Sequence, residues 1–162
     1  MIAASFEATL ERLSRSEADF IVVGGLAAAL HGSAYVTQDV DVCYGRSQSS
    51  IERLCRALGD LHPALRGAPE GLPFRLDPAT VKAGLNFTLS TDLGPLDLLG
   101  EIVPFGTFEE LRPHSVAMSL GGRSVLVLSL PALIRSKRSA GRPKDLLVVP
   151  ELEALLEMSK ER

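Results

Sequence analysis

Two stretches of the chain, Val22-Val23-Gly24-Gly25 and Thr37-Gln38-Asp39-Val40-Asp41, indicate its architecture most clearly. The first ends a short, β-branched apolar run, which predicts a buried strand that stops at the glycine pair. Residues 26–31 are strong helix formers, and the glycine that follows them is a natural helix end. The second stretch opens the next predicted strand, residues 39–44. The predicted order is therefore strand, glycine turn, helix and strand.

Asp39 and Asp41 are the first candidate site residues. Alternate residues of a strand point to the same face, so the two carboxylates project together while Val40 and Val42 point into the core. Like charges this close repel each other unless a divalent cation lies between them, and oxygen ligands favour Mg²⁺. The alternative is an ordinary strand with a solvated polar face, which is the commoner case for an isolated Asp-x-Asp.

A third carboxylate strengthens the metal interpretation. Asp97 lies between Leu96 and Leu98 in a predicted strand, so it faces away from the core-directed leucines. If that strand lies beside residues 39–44, three carboxylates converge, which is enough to hold two metal ions about 3.5–4 Å apart for phosphoryl transfer. Glu101 is a weaker fourth candidate and is more simply a charge at a strand end.

The glycine pair is the candidate phosphate site. Gly24 and Gly25 allow the backbone to approach phosphate oxygens, beside the free N–H groups of a helix N-terminus. A plain strand-to-helix turn is the alternative. Thr37 either caps the entry to the strand or hydrogen-bonds a phosphate. For His31, the alternatives are a structural role at the end of the helix and a position near the bound substrate. Beside a metal site, the glycine turn points to chemistry on a nucleoside triphosphate.

A cluster of cations near the C-terminus is the candidate for neutralising triphosphate charge or docking an RNA acceptor. The alternative is that these cations lie on a solvated helix face, which is the commoner case for a run of charged residues. Asp145 is placed to pair with one of these cations. The cluster consists of Arg135, Lys137, Arg138, Arg142 and Lys144.

Composition limits the classes of protein. The chain has 162 residues, 46% hydrophobic and 5% aromatic, which suits one domain with a core of Leu, Val and Ala. A net charge of -3 argues against a generally basic nucleic-acid-binding surface. Cys43 and Cys55 form no Cys-x-x-Cys motif, which argues against a disulfide framework or a zinc site. Because the sequence shows neither a signal peptide nor a membrane-spanning apolar run, we expect a soluble, cytoplasmic protein without membrane contact.

Periodicity and turn residues predict the remaining elements. Residues 62–74, rich in Pro and Gly, are predicted to be a mobile loop within a single domain, 1–162. The other predictions are a helix over 4–15, a helix opened by a capping box of Ser49 and Glu52, a hairpin of strands 85–90 and 96–98, a strand over 125–128 followed by a helix capped by Ser129, and a last helix over 144–159.

Together these residues resemble a known group. Gly24-Gly25, His31-Gly32 and Thr37-x-Asp39-x-Asp41 are similar to the motifs of minimal nucleotidyltransferases of the DNA polymerase β-like superfamily. Lys137 and Gly141-Arg142-Pro143-Lys144-Asp145-Leu146 resemble the branch that contains AbiEii-type toxins and related bacterial proteins.

The resemblance implies an α/β (α+β) fold with a mixed β-sheet flanked by helices. It implies Mg²⁺, with two ions, and transfer of a nucleoside monophosphate from an NTP to RNA, a protein or a small molecule. Some members of the branch work beside an antitoxin protein, so the resemblance makes an antitoxin a candidate partner, although no residue of this chain points to one. Two departures concern substrate contacts more than metal binding: related sequences often have Arg where this chain has Tyr35, and an acidic residue where it has Val148.

Three functional hypotheses follow. The first is a Mg²⁺-dependent nucleotidyltransferase in which Asp39, Asp41 and Asp97 bind the metals and Lys137 stabilises charge. The second is a catalytically silent nucleotide-binding module on the same fold, and the third is a partner-binding protein with solvated carboxylates. The residues assigned to nucleotide binding in the first hypothesis are Gly24, Gly25, Thr37, Arg142 and Lys144.

Overall fold

The apolar run that precedes the glycine pair forms strand β1 (Phe20–Val23), and all of its residues are buried. In the computed structural model, which describes residues 3–161, β1 lies inside a seven-stranded sheet. A strand buried on both faces needs cover on both sides of the sheet. The other strands are β2 (Val40–Tyr44), β3 (Ala64–Leu65), β4 (Phe87–Thr91), β5 (Gly94–Leu99), β6 (Ser115–Leu120) and β7 (Arg123–Leu128).

Helices provide that cover in two packed groups. Within the described residues they are α1 (Ala4–Arg15), α2 (Gly24–Leu30), α3 (Gln48–Leu58), α4 (Pro78–Ala83), α5 (Phe108–Leu111), α6 (Leu130–Ala140) and α7 (Pro143–Lys160), with single 3-10 turns at Gly59–Leu61 and Arg112–His114. Helices α1 and α4 pack on α3, whereas α2 and α7 pack on α6. No helix of residues 3–161 is both long and apolar enough to cross a bilayer.

The sheet is mixed, with the strand order β3-β4-β5-β2-β1-β7-β6. Strand β1 pairs antiparallel with β2 and parallel with β7, and β2 pairs parallel with β5. The three remaining pairs are antiparallel. This arrangement confirms the predicted mixed sheet flanked by helices. Its consequence for the site is the β2–β5 register, which aligns Asp41 with Asp97 and Val42 with Leu98.

The hydrophobic pattern places the core where the sequence predicted it. In the β4–β5 hairpin, Leu89, Leu96 and Leu98 are fully buried, while the residues that alternate with them are more exposed. Val40 and Val42, which alternate along the chain with Asp39 and Asp41, are buried. The predicted helices over 4–15 and 144–159 correspond to α1 and α7.

The predicted capping box at the start of α3 is wrong. The cap is Ser47, whose hydroxyl accepts a hydrogen bond from the Ser50 backbone N–H at 3.2 Å. Glu52 instead accepts from the side chain of Gln48, one turn away along the helix. The sequence offers several serines in succession, and only the extended backbone at Ser47 selects the cap.

Strands β3 and β6, helices α4 and α5 and the two 3-10 turns have no counterpart in the sequence predictions. Strand β3 lies within the Pro- and Gly-rich residues 62–74 and pairs with β4, while the mobility of that segment stays a prediction. Strand β6 lies at the opposite edge of the sheet and is largely exposed, so its burial pattern gives little hydrophobic signal. Helix α4 is a short helix capped by Asp77.

We expect Leu98→Ala to lower the free energy of unfolding by about 3 kcal/mol, because the leucine is fully buried in the strand that positions Asp97. Denaturant titration measures the change. Leu72→Ala, at a leucine that is 51% exposed, is the matched control and should cost less than about 0.5 kcal/mol. Equal losses in the two variants would contradict the proposed position of the core.

Candidate active site

Three carboxylates from separate parts of the chain meet at the centre of the sheet. Asp41 lies in β2 directly beside Asp97 of β5, and Asp39 immediately precedes β2. One carboxylate oxygen from each lies within 4.8 Å of the other two. The structure therefore brings together the three residues that the sequence selected as metal ligands.

The surroundings of Asp41 in this carboxylate cluster disfavour its charged form. Burial, followed by the charges of Asp97 and Asp39, raises its pKa from 3.8 to about 7, while the nearby Lys137 lowers it. Its Oδ1 atom is buried and has no hydrogen-bond partner among residues 3–161. A buried carboxylate oxygen without a partner is costly, and a hard cation bound to it would remove that cost. The donor set of the cluster thus fits a divalent ion.

Arg66 is a site residue that the sequence analysis missed. Its Nη2 lies 2.7 Å from Asp97 Oδ1 and 3.7 Å from Asp39 Oδ2, and its Nη1 donates to the Leu89 carbonyl at 2.6 Å. The residue follows β3 in a Pro- and Gly-rich segment without a recognisable motif. Only the position of β3 and β4 next to β5 brings this guanidinium to the carboxylates.

The glycine pair makes room for the acidic segment. Both glycines lie in the first turn of α2, rather than before it as predicted, and Gly24 has a φ of +62°. A Cβ on Gly24 would lie 2.4 Å from Asp41 Oδ2, and one on Gly25 would lie 2.8 Å from Thr37 Oγ1. Thr37 Oγ1 in turn donates to the Asp39 carbonyl at 3.2 Å, as in the capping alternative. The absence of side chains lets the helix start pack directly on the acidic segment.

The basic cluster divides into separate contacts. Lys137 and Arg142 both approach Asp145, which is 1% exposed. Arg142 donates from Nε to Asp145 Oδ2 at 2.6 Å and from Nη2 to Oδ1 at 3.1 Å, and Lys137 Nζ lies 3.5 Å from Oδ1. The other members point elsewhere: Arg135 lies over the Phe105 ring, Arg138 pairs with Glu153, and Lys144 is exposed.

A cavity of about 150 Å³ connects this ion-pair group to the carboxylate cluster. It is lined by Gly24 and Asp41 on one side and by Lys137, Arg142 and Asp145 on the other. Predicted site residues from the glycine turn, the acidic strand and the basic segment therefore share one space. A larger cavity, of about 600 Å³ between α3 and the segment before α4, contains none of these residues.

Asp145 stays ionised in this group. Burial raises its pKa, but the hydrogen bonds from Arg142 and the charge of Lys137 outweigh that effect, so the pKa lies below its usual value. Asp145 also accepts from the backbone N–H of Arg142 at 3.3 Å, at the start of α7. One buried carboxylate therefore positions both cations and the beginning of a helix.

The remaining candidates have structural surroundings. His31 Nε2 lies 2.8 Å from the Leu128 carbonyl, which ties the end of α2 to β7. Glu101 is exposed and does not belong to the carboxylate cluster. Burial raises the pKa of Cys43 to about 12 and that of Cys55 to about 11, so neither thiol is a reactive nucleophile at neutral pH.

Comparison with solved structures identifies the architecture. A candidate nucleotidyltransferase from Thermotoga maritima matches with a TM-score of 0.55 at 17% identity, covering 100% of this chain and 97% of that chain. The lincosamide antibiotic adenylyltransferase LnuA, solved with lincomycin bound, matches with a TM-score of 0.63 at 13% identity, covering 96% of this chain and 98% of that chain. These likenesses show that the chain has the nucleotidyltransferase fold.

No protein-family model and no curated protein sequence gives a significant match to the chain.

Asp41→Asn should stabilise the metal-free protein at pH 8 by on the order of 2 kcal/mol, with a smaller gain at pH 5. The folded chain keeps the Asp41 proton up to about pH 7, whereas the unfolded chain loses it near the ordinary value of 3.8. The stabilising contribution of that proton is full below pH 3.8 and is lost as the pH rises through about 7. Denaturant titrations in chelator across this range measure it. Glu70→Gln, at an exposed carboxylate, should leave the pH profile unchanged, and a gain independent of pH would contradict the assignment.

Asp145→Asn should lower the free energy of unfolding by about 2 kcal/mol, because it leaves Arg142 and Lys137 without their shared buried partner. The matched control is Glu153→Gln, which breaks the exposed pair with Arg138 and should cost less than about 1 kcal/mol. Thermal or denaturant unfolding compares the two. A smaller loss for Asp145→Asn than for the control would contradict the structural role of Asp145.

Proposed function

We propose that this chain catalyses Mg²⁺-dependent transfer of a nucleoside monophosphate from an NTP to an acceptor hydroxyl. The observation that carries the proposal is the convergence of Asp39, Asp41 and Asp97 on adjacent strands of a nucleotidyltransferase fold. Three carboxylates in a half-buried site are costly for a protein that does not bind cations. Asp41 shares a cavity with Lys137 and Arg142, which supports a substrate that brings negative charge.

Asp39, Asp41 and Asp97 would hold the metal, and two ions are consistent with three carboxylates. When bound, Mg²⁺ supplies the positive charge that favours an attacking alkoxide and offsets the charge that develops on the transferred phosphate. The orphaned Asp41 Oδ1 and the raised pKa of that carboxyl support this ligand set, because both are relieved when a cation approaches.

The protein itself positions the reactants and balances their charge. Lys137 reaches the same cavity as Asp41 and is assigned to charge stabilisation on the transferred phosphate. Gly24 and Gly25, which let the start of α2 lie directly against Asp41 and Thr37, are assigned to binding the triphosphate. The remaining nucleotide contacts are assigned to Thr37, Arg142 and Lys144. For Arg142 this role requires the guanidinium to share its donors with Asp145.

The acceptor is the least constrained part of the reaction. LnuA is an adenylyltransferase for a lincosamide antibiotic, which supports a small-molecule hydroxyl as one class of acceptor. RNA and protein hydroxyls are the other two classes. A toxin role beside an antitoxin protein in the cytoplasm rests on the sequence resemblance to the AbiEii branch alone.

A catalytically silent nucleotide-binding module is the second candidate. Tyr35 and Val148 replace residues typical of related sequences. In addition, the Arg66 guanidinium forms ion pairs with two of the three carboxylates, those of Asp97 and Asp39. Calorimetry with each NTP and Mg²⁺ separates the two functions. Binding without product in the presence of RNA, protein and small-molecule acceptors would favour the module.

Incubation of the protein with each labelled NTP, Mg²⁺ and cell extract should transfer label to an acceptor. Asp39→Asn and Asp41→Asn should each reduce that transfer at least about 100-fold, because the metal ligands contribute several kcal/mol to such reactions. Asp92→Asn removes an exposed carboxylate in the β4–β5 turn and should leave transfer unchanged. Undiminished transfer by Asp39→Asn and Asp41→Asn would remove the proposed metal role.

A further inference from the structure

We propose that Arg66 is a built-in counter-ion that competes with Mg²⁺ for the carboxylate cluster and thereby sets its metal affinity. The inference rests on the proposed function, because it requires the cluster to be a metal site. It adds a residue that belongs neither to the acidic strands nor to the basic segment, and it gives that residue an effect whose sign can be measured.

Arg66 forms ion pairs with two of the three carboxylates that are proposed to bind the metal. Its Nη2 donates to Asp97 Oδ1 at 2.7 Å and lies 3.7 Å from Asp39 Oδ2, so one nitrogen serves two of the three carboxylates. Asp41 does not share this neutralisation, since its Oδ1 has no partner within residues 3–161. The guanidinium therefore occupies one side of the cluster and leaves the Asp41 side open.

Mg²⁺ and Arg66 compete for two reasons: their charges repel each other, and they need the same carboxylate lone pairs. A metal ion held by Asp97 and Asp39 would use carboxylates that already pair with the guanidinium, and two cations on the same carboxylates repel each other strongly in a half-buried site. Each carboxylate oxygen also has a limited number of lone pairs, and a short, charge-assisted hydrogen bond uses one of them. Mg²⁺ binding must then displace Arg66 or accept a large penalty.

The surroundings of Arg66 allow that displacement without refolding. Its backbone N–H is fixed by a 2.9 Å hydrogen bond to the Thr88 carbonyl, so the chain can stay in place while the side chain turns. The side chain is 29% exposed, and a displaced guanidinium can move into water. The released group keeps a planar donor geometry that suits phosphate oxygens.

Calorimetric titration of Mg²⁺ into metal-stripped protein without nucleotide tests the proposal, since it depends on no enzymatic product. Arg66→Gln should bind Mg²⁺ about tenfold more tightly than the wild type, because a competing charge is removed. Arg66→Lys keeps the charge but not the planar fork that spans Asp97 and the Leu89 carbonyl, and its affinity should lie between the two. Arg75→Gln, an exposed arginine before α4 that lines the separate cavity, is the matched control and should bind like the wild type.

Thermal unfolding gives an independent readout. Without metal, Arg66→Gln should unfold at a lower temperature than the wild type, because the carboxylates lose their counter-ion, and Mg²⁺ should raise its Tm by more than it raises that of the wild type. If Arg66→Gln does not fold without metal, the titration of Arg66→Lys decides the question.

Two results would overturn the inference. Mg²⁺ binding that is equal or weaker in Arg66→Gln and Arg66→Lys than in the wild type would make Arg66 a support for the site rather than a competitor, and would leave the proposed function intact. No Mg²⁺ binding by the wild type or by any variant would overturn the competition and the proposed function together.

Discussion

The parallel pairing of β2 with β5 holds two carboxylates side by side although they repel each other. Backbone hydrogen bonds set this register, and the burial of Val42 and Leu98 keeps it, because a slip of either strand by one residue would turn its apolar side chains away from the core. Packing on the opposite face of the same two strands thus maintains an electrostatically unfavourable site. The raised pKa of Asp41 reflects the electrostatic cost of burying this carboxylate beside two others.

Charge around this pair is balanced from two directions. Arg66 approaches from the β3 edge and neutralises Asp97 and Asp39, whereas Lys137 approaches from α6 on the Asp41 side. The second cation is itself held by buried Asp145, so its position depends on the contact between α6 and α7. Positive charge is therefore oriented around the carboxylates from both sides by contacts within the protein itself.

The helices and strands with the strongest hydrophobic periodicity are the ones that the sequence predicts correctly. The period-two alternation around Leu89 and Leu98 and the helical spacing in α1 correspond to the observed elements, because burial of one face imposes that pattern directly. Strand β6 was not predicted, since an exposed edge strand need not alternate. The sequence predicts the cap of α3 at Ser49 whereas the cap is Ser47, because neighbouring serines are chemically equivalent and only the backbone conformation distinguishes them.

Local patterns in the sequence are enough to show which reactive groups this protein contains. They identify the paired aspartates, the third aspartate in a separate strand and the glycines at the start of a helix, because strand periodicity and glycine geometry are local properties. Which of these charges meet depends on long-range packing. Arg66 reaches Asp97 through the order of β3, β4 and β5, and the basic cluster divides between Asp145 and other partners. Contacts between residues distant in the chain depend on sheet order and helix packing, and no local pattern in one sequence encodes them.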